Sequence, residues 1–224
     1  MSTRTVVHLL RHGEVENPNK VLYGRLPDYH LSERGRAMAE RAREYFVTEL
    51  AARADDGIDP VIARVVASPM ERAQETAAPL AAALGLDIAV DGRLIEAANV
   101  FEGKRFGIGD GALREPSAWR HLYNPFRPSW GEPYARVAQR MHAALAAARE
   151  AAPGRHSVLV SHQLPIWIAR LAAEKRRLWH DPRRRQCNLA SVTSFHYDDT
   201  QLALISYAEP AADLVAGAST VSGA

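Results

Sequence analysis

Three short apolar runs each break off into residues with chemical capacity. Val6-Val7-His8-Leu9-Leu10 runs into Arg11-His12-Gly13, Ala63-Arg64-Val65-Val66-Ala67 into Ser68-Pro69 with Arg72 just beyond, and Val158-Leu159-Val160 into Ser161-His162. Two arginines and two histidines so placed suit phosphoryl transfer. A phosphoryl group spreads its charge over three oxygens, so its transfer is mainly a matter of positioning and electrostatic stabilisation, and the guanidinium forks of Arg11 and Arg72 match that geometry bidentately. His12 has to attack as neutral imidazole, and two neighbouring guanidiniums oppose a further positive charge on it. Transfer to His12 divides hydrolysis into two easier steps through a phosphoenzyme, with His162 donating to the phosphoryl oxygens as charge rearranges. The scheme calls for no metal and no cofactor. The leaving alkoxide needs a proton, which a carboxylic acid kept protonated in a desolvated site can supply; Glu14 and Glu96 are the candidates. A zinc hydrolase has little support, because His12-x-Glu14 lacks the helical His-Glu-x-x-His spacing.

These residues act together only if the ends of the apolar runs lie side by side. The runs have strand length, and helical patterns lie between them: Ala39, Ala42, Phe46 and Leu50 after Ser32; Met70, Ala73, Ala77, Leu80 and Leu84; Tyr134, Ala138, Met141 and Leu145 after Pro133. Pro79 inside the second pattern predicts a kink or an early end. Strands alternating with helices predict an α/β fold, a three-layer sandwich with a mostly parallel central sheet and helices on both faces. Ligands in such sheets sit outside the carboxyl ends of the strands. Two further β-like runs flank Asp198-Asp199. Alternation within the first run turns His8 away from the strand end, as a core histidine with satisfied ring nitrogens.

The chain reads as one domain over 1–224, since neither turn cluster, at 55–60 or at 152–154, looks like a linker. Residues 99–131 hold four glycines from Gly103 to Gly111 and three prolines, Pro116, Pro125 and Pro128, with Pro133 just beyond, an excursion suited to a lid over the strand ends. Within it Lys104, Arg114, Arg120 and Arg127 could bind a substrate carboxylate. The tail after 210 is small and polar enough to be disordered.

Of the 224 residues, 47% are hydrophobic and 24% charged, and no apolar run approaches the roughly 20 residues that cross a bilayer. The amino terminus lacks a signal-peptide pattern, which points to the cytoplasm. Cys187, the one cysteine, can form no internal disulfide and reads as a spectator thiol. A net charge of +2 does not argue for nucleic acid. Lys175-Arg176-Arg177 and Arg183-Arg184-Arg185 bracket Trp179 and His180, but such a run is more often a solvated face than a nucleic-acid site.

Leu9-Leu10-Arg11-His12-Gly13-Glu14 resembles the signature of the histidine phosphatase superfamily, the phosphoglycerate mutase-like family. Companions follow in the expected order: Tyr23-Gly24-Arg25, Leu31-Ser32-Glu33-Arg34-Gly35, Ser68-Pro69-Met70-Glu71-Arg72-Ala73, Leu94-Ile95-Glu96 and Val160-Ser161-His162. The resemblance covers roughly residues 5 to 208 and implies His12 as nucleophile, with Arg11, Arg72 and His162 around the phosphoryl group. The family's acid follows a Leu-x-Glu pattern, which selects Glu96 and leaves Glu14 to orient its loop. Asn17, Tyr23, Gly24, Arg25 and Gln163 are the implied substrate-binding residues. Asn17 lies five residues after the nucleophile rather than the six of the mutases, and Gln163 stands where a glycine commonly follows the second histidine. Asn99-Val100-Phe101-Glu102-Gly103, one residue short of the family's Trp-Glu-Gly segment, implies a reshaped loop after the acid. The expected activity is hydrolysis of a small phosphorylated metabolite; a mutase and a non-catalytic phospho-ligand binder are the alternatives, and a homodimer is left open.

Overall fold

A computed structural model of the chain describes residues 3–49, 59, 61–105 and 130–216. Its centre is a six-stranded sheet of β1 (Arg4–Arg11), β2 (Ile62–Ala67), β3 (Ile88–Val90), β4 (His156–Ser161), β5 (Val192–Asp198) and β6 (Gln201–Ala208), in the order β3-β2-β4-β1-β5-β6. β1, β2, β3 and β4 pair in parallel; β5 runs against β1 and β6 against β5, so β5 alone opposes the other five. The sheet is therefore mostly parallel, as predicted.

β1 and β4 are buried almost end to end. That is what a parallel strand covered on both faces demands, and it explains why their sequences read as continuous apolar runs. Alternation sends Val7, Leu9, Val66 and Leu159 to one face, under α3 (Tyr134–Ala151) and α4 (Gln163–Ala173). Leu10, Val65, Ala67, Val158 and Val160 go to the other, under α1 (Glu33–Glu44) and α2 (Glu71–Leu84). α1 continues as a π-helical segment, Tyr45–Glu49, whose wider turn lets adjacent Tyr45 and Phe46 both enter the core. Among the described residues no helix is long and apolar enough to cross a membrane.

One expectation changes, the early end at Pro79. α2 runs through Pro79 to Leu84 and stops at Gly85 in the left-handed region, φ 64°. The lost hydrogen bond and the ring clash, worth about 3 kcal/mol, are offset by burial of Ala77, Leu80 and Ala81. Of the tail, residues 211–216 are described: Ala212–Val215 forms one helical turn, with Ala211, Leu214 and Val215 packed against Met38 and Ala190, and 217–224 lie outside the described residues. The edge strand β3 was not read from the sequence, because it is too short for a periodic signal. The turn at 152–154 is present, with Gly154 at φ 77°, whereas the cluster at 55–60 lies outside the described residues apart from Asp59. The 99–131 excursion starts and ends at one place, where Asn99 pairs with Gly131; residues 106–129, and with them Arg114, Arg120 and Arg127, lie outside the described residues.

His8 is a core histidine, as expected. Its Nδ1 meets Ser194 Oγ at 2.7 Å and its Nε2 meets Nδ1 of His156 at 2.9 Å. Burial, and then the neighbouring His156, hold its pKa well below the usual histidine value; burial, then His196, lowers His156 to about 4. A histidine whose folded pKa is depressed binds fewer protons folded than unfolded, so its contribution is complete above the unfolded value near 6.5 and is lost as pH falls from there through the folded pKa. The melting temperature should therefore decline from about pH 6.5 towards pH 4, and His156→Gln should make that decline shallower. An unchanged slope in differential scanning calorimetry would remove His156 from the account.

Candidate active site

Register aligns the strand ends. Arg11 sits opposite Ser161, and Ala67 opposite Val160. The ladder then continues one step beyond, His12 N–H donating to Ser161 O at 3.1 Å and Ser68 N–H to Val160 O at 2.9 Å. His12, Ser68 and His162 thus leave three adjacent parallel strands at their carboxyl ends. Arg72 joins them from the first turn of α2, fully buried.

A close approach between two glycines makes the turn after His12 possible. A Cβ on Gly13 would lie 2.5 Å from Gly35 O, and one on Gly35 would lie 2.0 Å from Glu14 O. The start of α1 can therefore press directly on the nucleophile loop. Ser32 caps α1, its Oγ accepting from Gly35 N–H at 3.0 Å and donating to Glu14 Oε2 at 2.6 Å. Glu14, also 3.7 Å from Arg34, is the loop-orienting carboxylate that its sequence position implied.

His12 Nδ1 donates to Gly13 O at 2.7 Å, which leaves Nε2 as the lone-pair nitrogen, buried and without a partner among the described residues. The His12 and His162 rings lie 5.1 Å apart. Burial first, then Arg72 and Arg11, hold the His12 pKa well below its ordinary value; sequence reasoning named the arginines and missed the larger part played by burial. His162 is depressed by burial and then by Arg72. Ser68 Oγ accepts from Met70 N–H at 3.4 Å and lies 2.8 Å from His162 Nε2. His162 Nδ1 has no partner among the described residues; where the Ser68 hydroxyl donates to Nε2, Nδ1 carries the imidazole proton. The motif containing Ser68 was visible in the sequence; its contact with His162 was not.

Glu96 follows a 3-10 turn at Gly92–Leu94. The turn is pinned by Ser161 Oγ donating to Leu94 O (2.7 Å), and Arg25 Nε donates to Glu96 O (2.6 Å). The Glu96 carboxyl accepts one bond, from Ala97 N–H at 2.8 Å. Burial pushes its pKa up, against the pull of that bond and of Arg72.

Arg11, His12, Arg72, Glu96 and His162 are thus brought together, with Tyr23 and Gly24 beside them. Tyr23 lies under the Arg72 guanidinium at 4.8 Å, and Gly24 O accepts from Arg72 Nη2 at 2.6 Å. Arg72 Nε and Nη1 have no partner among the described residues. Arg11 Nη1 donates to Cys187 O at 2.7 Å; the Cys187 thiol itself is buried, which raises its pKa to about 11. Three of the implied substrate-binding side chains spend polar atoms elsewhere. Asn17 closes its own loop on the backbone of Val21, Arg25 ties Glu96 O to Glu132, and Gln163 bonds Cys187 O and Arg185. The basic run splits: Arg176 pairs with Glu174 and Arg183 with Asp181, while Arg185 turns inward beside Glu96. Composition could not show that split. Among the described residues no group of three or more His, Cys, Asp or Glu is placed to hold a metal ion.

Residues 7–210 match the model of the Histidine phosphatase superfamily (branch 1). The chain belongs to that superfamily. It is 53% identical over 212 residues to an uncharacterized protein of Mycobacterium tuberculosis, covering 95% of this chain and all of the other. It is 30% identical over 205 residues to a probable phosphoglycerate mutase of Salmonella choleraesuis, covering 87% and 86%. Among solved structures it resembles a mycobacterial glucosyl-3-phosphoglycerate phosphatase, with a TM-score of 0.67 and 25% identity over 91% of this chain and 97% of that one. Superfamily membership and the α/β fold with its mostly parallel sheet agree with the sequence analysis.

Glu132 binds the strand-end loops into one unit, meeting Arg140 at 3.1 Å and Arg25 at 2.9 Å. Glu132→Gln should lower the melting temperature by roughly 3–10 °C, the scale of partly buried charged hydrogen bonds in a domain of this size. Glu44→Gln, in an exposed pair with Arg41, should shift it by under about 2 °C. Equal shifts would mean that the Glu132 bridge carries no structural weight.

Proposed function

We propose that the chain is a phosphatase acting on a small phosphomonoester through a phosphohistidine on His12. The observation that carries this reading is the buried, Nδ1-anchored imidazole of His12, whose Nε2 lies open beside Arg72 and His162. Nε2 attacks phosphorus as the ester P–O bond breaks, and the leaving oxygen takes a proton from Glu96, whose protonated form burial favours. Arg11, Arg72 and His162 Nδ1–H meet the charge on the phosphoryl oxygens. Water then attacks the phosphohistidine, gives a proton to the Glu96 carboxylate and releases inorganic phosphate. The likeness to a glucosyl-3-phosphoglycerate phosphatase supports hydrolysis. The relative described as a probable phosphoglycerate mutase favours a second reading, in which the phosphoryl returns to another hydroxyl. Steady phosphate release from a phosphomonoester without a bisphosphate primer decides for the phosphatase.

His12→Ala should abolish turnover, and wild-type protein quenched during catalysis should carry acid-labile, alkali-stable phosphate. Phosphate trapped on a serine or an aspartate, or full activity in the variant, removes the central claim.

The role of Glu96 is tested by leaving-group basicity. Glu96→Gln should slow phosphoenzyme formation from an alkyl phosphate by roughly 10²–10⁴, the range of general acid catalysis, and should leave the burst from nitrophenyl phosphate largely intact. Equal slowing of both bursts would give Glu96 a binding or structural part; selective loss in Glu14→Gln would move the acid there.

A further inference from the structure

Arg185 is a half-buried cation with no ion-pair partner among the described residues. It follows the 3-10 turn Pro182–Arg184. Nε donates to His180 Nε2 at 2.9 Å, and Nη1 donates to Gln163 Oε1 at 3.2 Å. His180 is itself locked, with Nδ1 donating to Leu178 O at 2.7 Å and the ring 5.5 Å from that of Tyr134. Both acceptors are therefore neutral. Nearby cations fare differently: Arg25 and Arg140 share Glu132, Arg170 and Arg176 share Glu174, and Arg183 has Asp181. Among the described residues no carboxylate lies within salt-bridge distance of Arg185.

Its position gives that imbalance a use. Arg185 lines a cavity of about 100 Å³ with Gly24, Glu96, Trp130, Tyr134 and Leu164. The charges that depress His12 are Arg72 and Arg11, whereas Arg185 acts on Glu96 and Tyr134. It therefore stands on the side of the acid, where the leaving alcohol would lie, and burial, joined by nearby Arg11, lowers its pKa. Two of its five N–H bonds are used, which leaves one on Nη1 and both on Nη2, the end-on pair of donors that two oxygens of one anion take. Burying a cation in this way is costly unless an anion joins it. Burial also disfavours ionised Glu96, so the acid is a poor counter-ion while it holds its proton.

We propose that Arg185 is a specificity-determining residue, pairing with a second anionic group, a carboxylate or a phosphoryl, carried by the alcohol portion of the phosphomonoester. The inference rests on the phosphatase reading for what occupies the cavity, yet its test requires no turnover. Phosphonoacetate and 3-phosphonopropionate are titrated calorimetrically against ethylphosphonate and propylphosphonate, with methylenebisphosphonate separating a phosphoryl from a carboxylate as the second anion. Wild type should bind the best dianion-bearing ligand roughly 10- to 100-fold more tightly than its alkyl counterpart. Arg185→Met should erase most of that preference and leave alkylphosphonate affinity within about threefold. Equal affinities in wild type overturn the proposal whether or not the variant folds, and so does a wild type that binds none of these ligands. Equal losses for both ligand types in Arg185→Met overturn it as well, since Arg185 would then act by positioning its neighbours. Full turnover by His12→Ala would instead remove the phosphatase reading and leave a measured preference standing.

Discussion

An imidazole among guanidinium groups gains little as a nucleophile if it picks up a proton, and keeping it neutral is the constraint around which this molecule is arranged. Burial holds His12 uncharged more strongly than Arg72 and Arg11 do. Burial here follows from architecture, because His12 leaves the fourth strand of the sheet order, between β4 and β5, with helices covering both faces. The glycine-to-backbone contact of Gly13 and Gly35 closes the same spot from the side of α1. A side chain at either position would hold the helix off and admit water to the site that has to exclude it.

The same dryness acts in opposite chemical senses on two groups. It lowers the pKa of His12, whose neutral form has a lone pair, and raises that of Glu96, whose neutral form has a proton to give. One environment thus favours the neutral form of both groups, without a separate device for each. Arg72 tolerates that environment because a guanidinium begins so far above neutrality that burial lowers its pKa without discharging it. Its hydrogen bond to Gly24 O and the ring of Tyr23 recover part of the cost of desolvation. The two ring nitrogens without partners, His12 Nε2 and His162 Nδ1, are the atoms that the opposite bonds to Gly13 O and Ser68 Oγ leave over.

Much of this was legible in the sequence, for identifiable reasons. Strands buried on both faces leave continuous apolar runs, and chemistry at their carboxyl ends leaves polar residues where those runs stop, so Arg11, His12, Ser68 and His162 stood out. Glu96 was less visible, because it hangs from a single 3-10 turn and only resemblance chose it over Glu14. What stayed hidden depends on distant partners. Whether Arg25 meets substrate or braces Glu96 turns on Glu132, more than a hundred residues away. Pro79 argued locally for a break, and the apolar face of α2 overrode it. The split of the basic run was invisible because Arg183 and Arg185 are chemically identical; Asp181 captures one and His180 aims the other.

Chemistry and selectivity accordingly hang from different parts of the molecule. His12, Ser68 and His162 are held by the backbone ladder of adjacent strands, which a sequence can vary widely without disturbing. Arg185 and the Glu96 loop are held by side chains: His180 through Leu178 O for the first, Glu132 through Arg25 for the second. Each such link rests on side chains that one substitution removes, whereas His12 and Ser68 continue the main-chain hydrogen bonds of the sheet. The chain shares 25–30% identity with the phosphatase structure and the probable mutase, and the side chains that hold these two turns are where a change would reshape the pocket beside Glu96.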